Sequence, residues 1–165
     1  MITKAIACSA VAAFVVATAA VNAKGHGSDK PHGPASLEGT WQVRITPRNC
    51  STGEQFPQVA FDSLFTFAAG GTMTETTANP SFQAGQRSPG LGYWERTGHS
   101  SYEAVFQAFV QFTGGNYTRG NQRVELDFEL LDGDHWNANL AVAFTDPAGT
   151  PISNGCAAVI GVRLP

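Results

Sequence analysis

The sequence predicts an all-β fold, a small antiparallel up-and-down β-barrel of about eight strands. Three observations carry this. From Leu37 onward apolar and polar residues alternate with a period of two, and helical periodicity is almost absent. Turn-forming residues interrupt the alternation at short intervals. Two cysteines, Cys50 and Cys156, stand at opposite ends of the alternating region, where closing the barrel would make the first and last strands neighbours.

Three segments follow in order along the chain. Residues 1–23 read as a signal peptide: Lys4 makes a positive start, Ala5 to Ala20 an apolar run, and Val21-Asn22-Ala23 a small-residue cleavage site. The run is too short and too alanine-rich for a membrane span. A lipid-modified Cys8 would leave almost no apolar stretch before it and a hydrophobic tail after it. Export to the periplasm or the outside is therefore expected, with no membrane anchor after processing. Residues 24–36 hold Gly, His, Pro, Asp and Lys with little that is apolar, and read as a disordered leader. Residues 37–165 are the barrel domain, a length suited to one core.

Each strand shows one apolar face. Trp41, Val43 and Ile45 alternate with Gln42 and Arg44; Phe61, Phe65 and Phe67 share a parity. Further on, Tyr102 to Phe112, Val124 to Leu130 and Trp136 to Phe144 alternate in the same way. Hairpins are expected at Ala69-Gly70-Gly71-Thr72, Thr113-Gly114-Gly115-Asn116 and Leu131-Asp132-Gly133-Asp134. Asp146-Pro147-Ala148-Gly149 precedes a last strand expected over Cys156 to Leu164, and the polar stretch from Thr77 to Pro89 reads as a long loop over one mouth. A meander that did not close would expose its edges.

Charge narrows the function. The formal charge of −3 becomes −4 once Lys4 leaves, and no run of Lys or Arg exists, so nucleic acid is not an expected partner. After cleavage two cysteines are left, an even number in an oxidising compartment, and a Cys50–Cys156 disulfide is the single pairing available. No Gly-x-Ser-x-Gly elbow, phosphate loop or zinc-spaced His/Cys set occurs, and the loop histidines His99 and His135 stand apart. The motifs ask for no cofactor, and the chain leans away from an enzyme. One metal possibility exists: processing after Ala23 would expose Lys24-Gly25-His26, whose amine, two amides and His26 imidazole suit adventitious Cu(II). The oligomeric state leaves no mark in the sequence.

Leu37-Glu38-Gly39-Thr40-Trp41 at the first strand and Gly161-Val162-Arg163-Leu164 in the last resemble the lipocalin-like (calycin) barrels. The stretch Arg87 to Gly98 and the Phe67 to Thr77 hairpin look like parts of small secreted bacterial proteins of uncharacterised function. The calycin resemblance implies that Trp41 plugs one barrel end while Arg163 packs across its indole face, a cation–π contact expected within about 6 Å.

The interior admits two readings. Ala104 and Ala108 among aromatics fit the taper of a filled core, or they leave a cavity for a small apolar or amphipathic molecule. The cavity reading takes Phe65, Phe67, Trp94, Phe106, Phe128 and Leu140 as its apolar wall. Burial of Met73 would turn Glu75 inward, and Trp94 would turn Arg96 inward. A Glu75–Arg96 pair would orient a ligand head or, on the alternative reading, serve a cyclase- or isomerase-like enzyme. Pairing should lower the Glu75 pKa, and burial without Arg96 should raise it. A filled barrel acting through its surface on a protein partner is the third reading.

Overall fold

A computed structural model describes residues 36–112 and 118–165. The expectations for residues 1–35, His26 among them, lie outside the described residues, as does the Thr113-Gly114-Gly115-Asn116 hairpin. Eight strands follow in order: β1 (Gly39–Arg48), β2 (Phe61–Phe67), β3 (Thr72–Thr77), β4 (Gly90–Arg96), β5 (Ser101–Phe112), β6 (Thr118–Leu130), β7 (His135–Thr145) and β8 (Pro151–Arg163). Each pairs antiparallel with the next, and β8 returns to β1, so the sheet is a closed barrel without edges.

Period-two alternation sets the faces. Trp41, Val43, Phe65, Phe67, Met73, Ala104, Phe106, Leu126 and Trp136 are buried, while Gln42, Arg44, Glu103 and Asp127 face water. The turns are built from the residues that mark them. Gly70 and Gly71 take left-handed φ values of 88° and 87° between β2 and β3, which side chains with a Cβ avoid. The Asp132 carboxylate accepts from the Asp134 amide, and the Asp146 carboxylate from the Ala148 and Thr150 amides, closing the turns on either side of β7. Strand β8 starts at Pro151, earlier than expected. Pro151 to Gly155 carries turn-like composition, but Ser153 and Asn154 pair with Phe144 and Ala143 of β7, and that ladder overrides local preference.

Closure brings β1 residues Trp41 to Arg48 against β8 residues Arg163 to Cys156. Cys50, just past β1, is bonded to Cys156 with 5.3 Å between Cα atoms, a normal disulfide span.

The barrel has two unlike halves. At the end where β1 begins, the Arg163 guanidinium lies 4.1 Å from the Trp41 ring centroid and donates to the backbone oxygens of Gly133, Glu38 and Ser36. One side chain thus ties the β6–β7 turn and the segment before β1 across the floor. Above the floor, Trp136 packs 6.1 Å from Trp41, 6.2 Å from Phe65 and 5.4 Å from Phe128, ring centre to ring centre. This half is filled. The other half, where β1 ends and the disulfide sits, is not.

Candidate functional site

A cavity of about 200 Å³ opens at the disulfide end. Its walls are Ile45 of β1, Phe61 of β2, Phe106 of β5, Val124 of β6, Leu140, Val142 and Phe144 of β7, and Gly155 to Ala157 of β8. Phe106 packs 5.8 Å from Phe65, so it is the cavity's floor and the roof of the filled half. Two glycines of β4 make this possible. A Cβ on Gly92 would lie 2.5 Å from the Phe106 backbone, and one on Gly90 would lie 2.5 Å from the Phe106 ring and 2.8 Å from the Glu75 carboxylate.

The polar centre is Glu75. Met73 and Glu75 alternate inward on β3, as their parity predicts, and both are buried. Its partner is Arg87, whose Nη2 donates to Glu75 Oε2 at 2.7 Å; the arginine side chain is 4 % exposed and the glutamate side chain 2 %. Arg87 also donates from Nε to Gln122 Oε1 and from Nη1 to the Ser88 carbonyl. The Phe82 ring lies 5.9 Å beneath its guanidinium carbon.

Arg87 reaches the lumen through a shift in register. Leu91 opposite Gln107 would place Ser88 opposite Val110, yet Val110, an inward residue, faces Arg87. The one-residue slip at Ser88-Pro89 turns the arginine inward, as bulges re-aim side chains next to sites. The segment is pinned to β5: Ser88 donates its amide to Phe109, and Gln86 and Gln111 exchange hydrogen bonds. The expected long loop thus lies over the mouth and supplies Arg87, Phe82 and Asn79 to the cavity wall.

Burial pushes the Glu75 carboxyl above its ordinary value of 4.5, outweighing Arg87, the Gly90 amide and the Ser63 hydroxyl, which all favour the anion. Ser63 Oγ is buried near the carboxylate, at a geometry that leaves it without a proper hydrogen-bond partner. Glu75 is buried without Arg96, and the rise expected for that case is what occurs, even with Arg87 as its partner. Loss of water costs the carboxylate more than its contacts return.

The other residues expected at the site divide. Glu75, Phe106 and Leu140 line the cavity. Phe65, Phe67 and Phe128 belong to the filled half. Trp94 lies at that end as well, half-buried between Phe67 and Tyr102, with its indole N–H donating to the Ala68 carbonyl. Arg96 is corrected outright: Glu75 faces Gly90, so Arg96 is six residues farther along β4, roughly 20 Å away at strand spacing. Its guanidinium donates to the carbonyls of Gly98 and His99 in the β4–β5 turn and covers the Tyr102 ring. Arg87 and Gln122 were not anticipated. Parity counted back from Trp94 turns Arg87 outward, and the alternation of β6 holds no sign that Gln122 would meet an arginine.

Among the described residues no three His, Cys, Asp or Glu side chains converge on a metal position. No helix among them is long and apolar enough to cross a membrane. The chain matches no protein-family model, no curated protein and no solved structure.

Proposed function

We propose that the protein is an exported barrel that binds a small apolar or amphipathic molecule in the cavity at its disulfide end. The observation that carries this reading is a mostly apolar cavity of about 200 Å³ with one buried polar cluster, Glu75–Arg87–Gln122, at its side. Binding sites characteristically join an apolar lining to a few placed polar groups. A dry cavity of about 150 Å³ suffices for benzene, so one ring with a small substituent fits. The disulfide supports a compartment outside the reducing cytosol. The Trp41–Arg163 floor supports kinship with calycin-like barrels, which the proposal takes as kinship of fold.

The enzyme reading would now rest on Glu75 with Arg87. The arginine holds Oε2 and leaves the carboxylate a fixed hydrogen-bonding group more than a mobile base. The test of binding is titration of the protein with toluene and phenol by ligand-observed NMR. Val142→Phe, which fills the cavity from β7, should weaken both by at least about tenfold. Undiminished binding to Val142→Phe, or none to the unaltered protein, would remove the proposal.

A further inference from the structure

The charge arrangement of the cavity says what kind of polar head it accepts. Glu75 and Arg87 are both buried, and their contact at 2.7 Å makes the lumen electroneutral. A ligand bearing its own charge would add a third buried charge without a counter-ion, and burying such a charge is strongly unfavourable. A neutral ligand meets no such barrier. Hydrogen-bonding capacity left by the cluster narrows the head further. Gln122 turns its carbonyl oxygen to Arg87 Nε, so its NH2 group points away from that bond and none of the cluster's hydrogen bonds uses it. The Glu75 carboxylate has about four acceptor positions; Arg87 takes one on Oε2, and the Gly90 amide and Ser63 hydroxyl lie against it as well, so acceptor capacity is still left. Both residues border the same cavity. One offers a donor and the other an acceptor.

From this geometry we infer that the ligand is uncharged and presents a hydrogen-bond acceptor and donor side by side, as a carboxamide or lactam does, on a body no larger than about one ring. This rests on the binding reading above and goes beyond it in naming the ligand's charge and head group. The acceptor meets the Gln122 NH2, the donor meets Glu75, and the apolar body lies against Phe106 and Leu140. No rearrangement of the ion pair is needed.

Benzamide, benzoate and benzamidine share one ring and differ in charge, so calorimetric titration of the intact, disulfide-bonded protein with each near pH 7 isolates the effect. Benzamide should bind at least about tenfold more tightly than either ion. An ion that binds as tightly as benzamide overturns the inference. So does failure of all three to bind while toluene and phenol bind, which leaves the cavity reading standing. If toluene and phenol fail as well, the cavity reading itself has fallen. Glu75→Gln leaves Arg87 unpaired and should move the preference to benzoate, and Arg87→Gln should move it to benzamidine, each by about tenfold or more. If either single variant does not fold, Glu75→Gln combined with Arg87→Gln restores neutrality. That double variant must then keep benzamide ahead of both ions, and a preference for an ion there also overturns the inference.

Discussion

Glu75 shows how far one residue can be read in advance. Met73 is the sole large apolar residue of its short strand, so burial of Met73 sets the parity, and Glu75 follows it inward. Which cation meets the carboxylate depends on a register slip that no local pattern displays. The raised pKa has a consequence for stability. Below the ordinary value of 4.5 the carboxyl is protonated in both folded and unfolded chains. As pH rises the unfolded chain loses this proton first, so the Glu75 contribution is most favourable below that value and is lost as pH rises through the higher folded one. The stability of the unaltered protein relative to Glu75→Gln should therefore decline as pH rises from below 4.5 through the higher folded value, measured by urea unfolding at each pH. An opposite slope would show that Arg87 outweighs burial.

Among the strands, glycines decide where aromatic rings can lie. Gly161 of β8 faces Trp136 of β7, and a Cβ there would come within 2.1 Å of the indole. The ring lies flat over the glycine and fills the centre of the packed half, touching Trp41, Phe65, Phe67 and Phe128. Gly161→Ala should cost about 1–3 kcal/mol through overpacking, seen as a lower urea midpoint with an unchanged slope. A variant as stable as the unaltered protein would mean the indole has another place to go. Gly90 and Gly92 do the same for Phe106 across β4 and β5. Alternation in the sequence marks these strands well, but it does not say that a missing side chain on one strand is the seat of a ring on its neighbour.

At the scale of the molecule, closure is what the Cys50–Cys156 bond records. The two residues are 106 apart in sequence and meet because β1 and β8 pair. In the chain-entropy account a cross-link over a loop of about 100 residues stabilises by about 4–5 kcal/mol. Replacing both cysteines by serine should lower the unfolding free energy by an amount of this order, with the barrel still formed. A loss below about 1 kcal/mol would mean that the unfolded chain already holds these ends together. Cys156 also lines the cavity, so the same variant should weaken toluene and phenol more than it disturbs the packed floor at Trp41.

The resemblance to calycin-like barrels singled out the two residues of the floor, Trp41 and Arg163, whereas the chain's pattern by itself determined the all-β class, the inward faces of most strands, three of the turns and the disulfide. These follow from short-range physics: a period of two, the conformational freedom of glycine, and a single possible cysteine pairing. Only the tertiary structure decided that the barrel is filled in one half and hollow in the other. That division depends on which strands place large side chains at the same height, and height is set by register around the closed sheet. The same dependence replaced Arg96 by Arg87. Parity says which side of a sheet a residue faces, and register says how far along the barrel it stands.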